Sequence, residues 1–179
     1  HPTGLYFIQT PQTCAAPYSG SAHDMEQVLE FLRGEYDFVI LDSSLDSQSV
    51  NAAIVDSADE VYLVATPDVA ALRDLSRHVE NFGVDSRTAP KLRIAINRSC
   101  SNDAVSPEQV EKAVRFPVSV TVPNSYAELL RAINAGEPLA PQRRSEFTMK
   151  IGKWANRIVQ AQAEPDPVRA KRKGFAFWK

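Results

Sequence analysis

The sequence has few of the residues that cross-link a protein, anchor it in a membrane or charge it strongly. Its two cysteines, Cys14 and Cys100, form no C-x-x-C pair and have no histidine cluster at metal-ligand spacing beside them, which argues against a disulfide scaffold and a zinc site. No apolar run approaches the ~20 residues of a membrane span, and the N-terminus has no charged-then-apolar signal pattern. The net charge of -2 gives no whole-molecule attraction to nucleic acid or anionic lipid. We therefore expect free thiols and a soluble protein of the reducing cytoplasm.

The sequence does have a regular alternation of short apolar runs with longer segments of helical period. Over 179 residues this pattern is typical of one domain built from βαβ units, an α/β fold with a parallel sheet and helices on both faces. The run at 38–41 is apolar at every position, which predicts a central strand covered on both faces. The predicted strands are 5–8, 38–41, 61–65, 92–96 and 118–122, and the predicted helices are 25–32, a short one within 43–59, 69–82, 106–114, 125–135 and 146–163.

Helix ends carry their own signals in this sequence. Asp24 lies near the start of the first predicted helix, which should stop at Gly34, and Asp68 is a natural N-cap for the helix at 69–82. Ser106, followed by proline, begins the next helix. Glycines directly after two of the helices, Gly83 and Gly136, are predicted C-caps.

The candidate site residues follow the strands, because ligands of open parallel sheets bind beyond the carboxyl ends of the strands. Asp42 follows an apolar run, where a carboxylate can orient Mg²⁺ through water, but it can equally be a solvated aspartate or a helix cap. Asn97 follows a later run. Its amide has the acceptor and donors that match the exocyclic amine and a ring nitrogen of adenine, while a simple turn residue is the alternative.

Four stretches resemble MinD/ParA-type ATPases. Residues 36–67, with YDFVILDSS and ADEVYLVATP, are similar to the Walker B strand and the strand ending in a Thr-Pro-Glu/Asp turn. IAINR at 94–98 resembles the family's strand whose asparagine contacts adenine, and VPNSYAELLRAINAGEPL at 122–139 resembles the segment whose proline-containing loop flanks the base. GLYFI at 4–8 resembles the strand that precedes Walker B, so the likeness covers about residues 3–160.

The resemblance implies a P-loop NTPase fold of the MinD type over residues 1–163, followed by a basic-aromatic tail at 164–179. It implies ATP or ADP as ligand with Mg²⁺, and a homodimer that uses the bound state to position itself or a partner. Within this family the sequence most resembles the CpaE/TadZ branch of pilus-assembly and localisation proteins. That branch implies pilus-assembly or polar-localisation partners. It also implies a cytoplasmic protein that can lie at the surface of the inner membrane. The resemblance implies that Asp42 holds Mg²⁺ through water. It implies that the nucleotide is bound by Asn97, Arg98, Pro123 and Asn124.

A phosphate-binding loop is what the sequence does not contain. Its single Gly-Lys pair, Gly152-Lys153, precedes Trp154 inside a predicted helix and lacks the preceding glycine of the motif. In the family this loop comes earlier in the chain, after a strand that lies beside the Walker B strand. We therefore expect a piece of a longer protein, with no catalytic residue of its own and no hydrolysis of ATP. Without that neighbour, residues 38–41 should expose apolar side chains and unpaired backbone, which invites association.

Three alternatives stay open. Residues 43–46, SSLD, replace the family's proline and glycine after the Walker B aspartate, which favours a non-catalytic localisation scaffold that keeps the fold. An unrelated flavodoxin-like or receiver domain shares the alternation, but the paired acids and later lysine of receivers are absent. The tail at 165–179 is either a solvated terminus or an anchor for an anionic membrane or nucleic acid, through its basic residues Arg169, Lys171, Arg172, Lys173 and Lys179.

Overall fold

A computed structural model describes residues 4–8, 21–43, 48–83, 85–139 and 144–163. Contacts between residues divide the chain into two compact units, His1–Asp59 and Glu60–Lys179. The predicted tail at 164–179, Cys14 and residues 44–46 of the SSLD stretch lie outside the described residues.

The first unit contains two helices that pack together, α1 (Ala22–Glu35) and α2 (Gln48–Ser57). Ser21 is the N-cap of α1, in a capping box in which Asp24 Oδ2 accepts the Ser21 backbone N–H at 2.8 Å. At the other end, α1 continues past the predicted stop at Gly34. Arg33 Nη2 donates to Asp59 Oδ2 at 3.1 Å and to the Ser57 carbonyl, which ties the end of α1 to the end of α2.

Two predicted strands of this unit, 5–8 and 38–41, are not strands in the structure. Neither pairs with another strand among the described residues, and their apolar side chains other than that of Val39 are exposed, to 80% for Phe7 and 90% for Ile40. The prediction rested on apolar composition, but a strand also needs a neighbour for its backbone hydrogen bonds. The prediction of a covered central strand at 38–41 is therefore wrong for this chain, while the exposure expected of an unpaired segment is what the structure has.

The second unit is built on a parallel sheet of three strands, β1 (Val61–Ala65), β2 (Leu92–Ser99) and β3 (Val118–Pro123), in that order. All of β1 is in register with Leu92 to Ile96 of β2. β2 continues beyond the predicted end at Ile96, and register shifts in its pairing with β3 bring Ser99 beside Pro123. The elements are β1 (Val61–Ala65), α3 (Val69–Gly83), a 3₁₀ turn (Ala89–Lys91), β2 (Leu92–Ser99), α4 (Pro107–Val114), β3 (Val118–Pro123), α5 (Tyr126–Ala135) and α6 (Glu146–Ala163).

The core of the second unit lies between one face of the sheet and helices α3 and α4. Leu92 and Ile94 of β2 are completely buried there, and Leu63 of β1 packs into the same cluster. Burial of each such side chain contributes roughly 1.5–3 kcal/mol. The helices bury the residues that recur at three- and four-residue steps, as the periodicity predicts: Leu72, Leu75 and Val79 from α3, and Val110 and Val114 from α4.

Helix α6 packs on the opposite face of the sheet. Tyr62 neighbours Leu63 in β1 and so points away from the core cluster, and its ring meets the indole of Trp154 at a centroid distance of 5.0 Å. The predicted α/β fold, with a parallel sheet and helices on both faces, is therefore confirmed. None of the described helices is long and apolar enough to cross a membrane.

Most of the predicted helix ends are confirmed. Ser106 forms a capping box with Gln109 at the start of α4, and Gly136 ends α5 in the left-handed region at φ 65°. Gly83 differs from its prediction as the C-cap that follows the helix, because it is the last residue of α3 and has no positive φ. The left-handed cap with no sequence signal is Arg115, which ends α4 at φ 54°.

Candidate functional site

The carboxyl ends of β2 and β3 lie side by side at the same end of the sheet. The backbone N–H of Asn124 donates to the carbonyl of Ser99 at 2.9 Å, just where Ser99 pairs with Pro123. Asn97 and Arg98 directly precede Ser99 in β2. The structure thus brings four of the predicted site residues to the ends of two adjacent strands, as the rule for parallel sheets predicts.

Asn97 is half-buried and partly engaged by its own neighbour. Its Oδ1 accepts the backbone N–H of Arg98 at 2.9 Å, and Arg98 adopts a left-handed backbone at φ 56°, which costs roughly 1–3 kcal/mol in a non-glycine residue. The Nδ2 donors of Asn97 have no acceptor among the described residues. An amide oxygen keeps a second lone pair, so the side chain still fits the amine and a ring nitrogen of adenine.

The loop after β2 is held by Asp103, a residue that the sequence reasoning missed. Its Oδ2 accepts the backbone N–H of Cys100 at 2.7 Å, and its own N–H donates to the Cys100 carbonyl at 3.2 Å. The polar run at 101–103 was the available signal, since aspartate commonly fixes turns through backbone N–H groups. Cys100 itself is a free, exposed thiol, as expected.

Asp42 lies in the first unit, exposed, directly after the segment 38–41. The described residues contain no group of three or more His, Cys, Asp and Glu side chains that could hold a metal ion. A single carboxylate suits an ion that keeps most of its waters and is also bound by phosphates, which is how Mg²⁺ sits in nucleotide sites. The role of Asp42 toward Mg²⁺ stays a prediction.

Asp68, just beyond the carboxyl end of β1, is engaged in capping α3. Its Oδ1 accepts the Ala71 backbone N–H at 2.9 Å and its Oδ2 accepts the hydroxyl of Thr66. These hydrogen bonds, with that from Ala71 the largest cause, hold the pKa of Asp68 below its usual value. The predicted N-cap is confirmed, so this carboxylate stabilises the start of α3.

Comparison with curated proteins finds relatives along most of the chain, although no protein-family model matches it. The septum site-determining protein MinD of Helicobacter pylori is 27% identical over 169 residues, which is 87% of this chain and 62% of the relative. The chain is related to the MinD/ParA-type P-loop ATPases. MinD of Bacillus subtilis is 22% identical over 176 residues, 96% of this chain and 65% of that protein, so the chain spans less than two thirds of these MinD proteins.

Solved MinD and ParA structures share the fold at low sequence identity. A ParA family ATPase from Chlorobium tepidum matches with a TM-score of 0.67 at 21% identity, over 75% of this chain and 56% of that one. A chain of the MinC:MinD cell division protein complex of Aquifex aeolicus gives 0.66 at 20%, over 82% and 61%. MinD of Pyrococcus horikoshii, complexed with Mg-ADP, gives 0.58 at 18%, over 80% and 60%. The MinD-like P-loop NTPase fold predicted from the sequence is thus confirmed.

The described residues offer groups for the base of a nucleotide and none of the family's cradle for its phosphates. The Gly152-Lys153 pair lies inside α6, where backbone N–H groups bond within the helix. Asn97 has the chemistry that adenine requires, and Asp42 has the chemistry for water-mediated Mg²⁺. The binding of a nucleotide or of Mg²⁺ by these residues stays a prediction.

Proposed function

We propose that this chain supplies the adenine side of a MinD/ParA-like ATP-binding switch. The observation that carries the proposal is the tie between Asn124 and Ser99, which sets the loop of Pro123 and Asn124 beside Asn97 and Arg98. The Mg-ADP held by the Pyrococcus horikoshii relative supports ATP or ADP with Mg²⁺ as the ligand.

Each residue has a defined task in this proposal. Asn97 donates from Nδ2 to a ring nitrogen of adenine, and Pro123 and Asn124 border the base. Arg98 fixes the orientation of the Asn97 amide through its backbone N–H. Asp42 orients Mg²⁺ through water, and the ion, when bound, neutralises phosphate charge. These residues bind and orient, and we expect no ATP turnover from this chain alone.

The wider role that we propose is the positioning of a protein assembly. The resemblance to the CpaE/TadZ branch favours pilus assembly or polar localisation, with a homodimer as the working form and a cytoplasmic place at or near the inner membrane. The Aquifex aeolicus relative was solved in a complex of MinC with MinD, which supports a switch that binds a partner protein.

A non-catalytic localisation scaffold is the second candidate. It is favoured by the hydrogen bond that engages Asn97 Oδ1 inside the chain, and by Ser43 directly after Asp42, where the family has proline. In this form the fold is kept for protein contacts, and the nucleotide is bound weakly or not at all.

The experiment is nucleotide binding to the full-length protein that contains this chain, measured by titration calorimetry with ATP and Mg²⁺. Asn97→Ala should weaken binding about tenfold, because it removes hydrogen bonds to the base. Asp42→Asn should weaken binding with Mg²⁺ present and have little effect in EDTA. The matched control is Asn81→Ala, an exposed asparagine of α3, which should leave binding unchanged.

The outcomes separate the two candidates. Tight ATP binding that Asn97→Ala weakens supports the switch. No detectable binding by a folded full-length protein that still captures its partner supports the scaffold and overturns the switch. Equal effects of Asn97→Ala and Asn81→Ala would show that adenine does not bind at the carboxyl ends of β2 and β3.

A further inference from the structure

A groove of about 310 Å³ runs between β3 and α6. Four consecutive residues of β3, Val118 to Thr121, form one wall. Side chains alternate between the two faces of a strand, so a wall made of consecutive residues lies along the edge of the strand rather than on one face. The other wall comes from one side of α6: Lys150, Lys153, Trp154 and Arg157.

β3 is an edge strand of the described sheet, pairing only with β2. An edge presents backbone N–H and C=O groups that another strand can pair with. One of these groups is bonded by a side chain: the carbonyl of Ser119 accepts from Arg157 Nη1 at 2.9 Å. The Ser119 bond shows that this carbonyl points toward α6 and into the groove.

The charge of the groove is positive. Lys150 and Lys153 are exposed, lie one helical turn apart, and form no ion pair with an acid in the described part of the chain. Arg157 donates to Ser119 and to the Tyr62 hydroxyl. No aspartate or glutamate of the described residues lines the groove, although the chain as a whole carries a net charge of -2.

We propose that this groove binds an extended acidic segment of a partner protein, which adds as a strand beside β3. The backbone of the segment pairs with the edge of β3, and its carboxylates lie against Lys150 and Lys153. The chain's own residues 168–179 are basic and carry no acid, so charge argues against them as the occupant. This site uses none of the residues proposed to bind nucleotide, and it stands or falls independently of them.

Two other anionic macromolecules would use the lysines alone. A nucleic acid or an anionic membrane supplies negative charge but no peptide backbone, so neither would depend on the strand edge. An acidic peptide is therefore distinguished from nucleic acid and membrane because its binding depends both on its carboxylates and on its backbone N–H groups.

The test measures fluorescence anisotropy of labelled peptides as the chain is titrated. The probe is a peptide of alternating valine and glutamate with the six-residue length of β3. One comparison peptide has lysine in place of glutamate, and another keeps the glutamates but carries N-methylated amides along one edge, which cannot pair. Phosphatidylserine vesicles and a double-stranded DNA oligomer serve as the two other probes. We expect the unmodified acidic peptide to bind at least about tenfold more tightly than either comparison peptide.

The decisive variants reverse charge at matched sites. Lys150→Glu with Lys153→Glu should weaken the acidic peptide about tenfold or more. Lys112→Glu with Arg131→Glu, two exposed cations of α4 and α5, makes the same change in net charge outside the groove and should change binding less than about twofold. The proposal is overturned if both pairs act equally, if the N-methylated peptide binds as well, or if only vesicles or DNA bind and depend on Lys150 and Lys153.

Discussion

The ring of Tyr62 in β1 meets the indole of Trp154 in α6 edge to face, with ring centroids 5.0 Å apart. The Tyr62 hydroxyl donates to Glu60 Oε2 at 2.6 Å and accepts from Arg157 Nη2 at 3.2 Å, while Arg157 Nη1 reaches the Ser119 carbonyl in β3. One aromatic contact and one guanidinium therefore join both edge strands of the described sheet to α6. Trp154 supplies the aromatic part of this contact between α6 and the sheet.

Trp154 gives the first prediction. Trp154→Ala should lower the free energy of unfolding by about 2–3 kcal/mol, because it removes a large, partly buried ring. Trp154→Phe should cost less than about 1.5 kcal/mol, since an aromatic ring remains and the indole N–H is buried without an acceptor in the described structure. Urea denaturation measures both, with exposed Met149→Ala of the same helix as a control expected within about 0.5 kcal/mol. Equal costs for the alanine and phenylalanine variants would contradict this account.

Two glycines in different conformations give the second prediction. Gly136 has φ 65°, so Gly136→Ala should destabilise the chain by about 1 kcal/mol. Gly152 lies inside α6, where an added methyl group would meet open space, so Gly152→Ala should stabilise by about 0.5–1 kcal/mol. Thermal denaturation of the two variants should move the midpoint in opposite directions, and a shift in the same direction would show that the two backbones do not differ as described.

The cap of α3 gives a pH prediction. The pKa of Asp68 is lowered in the folded state, so as pH falls the unfolded chain takes up this proton first. The contribution of Asp68 to stability is therefore complete above the unfolded pKa of about 3.9 and is lost as pH falls through the lower folded value. Asp68→Ser keeps an N-cap oxygen without the charge, and it should flatten the fall in stability below about pH 4. Urea midpoints between about pH 2.5 and 7 measure this, and an unchanged slope in Asp68→Ser would argue that other carboxylates carry the acid dependence.

Local patterns predicted the helices and the strands of the second unit because each has its own signal. The steps of α3 bury Leu72 and Leu75, and Ser106 with Gln109 marks the start of α4. The same reasoning failed at 38–41, since the apolar run predicts an extended segment but cannot supply the strand that would pair with it.

The sequence predicted at which end of the sheet the candidate site lies, but it did not predict the contacts of the side chains there. The rule for parallel strands brings Asn97 near Pro123 and Asn124, and the structure agrees. The bond from Arg98 to the Asn97 amide has no sequence signature, because it depends on a left-handed residue that is not glycine. The hydrogen bonds of Arg157 also have no sequence signature, since its partners lie 38 and 95 residues away along the chain.

The exposed segment at 38–41 gives the last prediction, which concerns self-association. Ile40 is 90% exposed among apolar neighbours whose backbone pairs with no strand in the described structure, so a second copy of the chain is a ready partner for this segment. Light scattering after size-exclusion chromatography should give the wild-type chain a mass above that of one chain. Ile40→Lys should restore the mass of one chain, whereas Ile133→Lys, at a 74% exposed position of α5, should not. A wild-type chain that elutes as a well-folded monomer would show that the segment does not drive association.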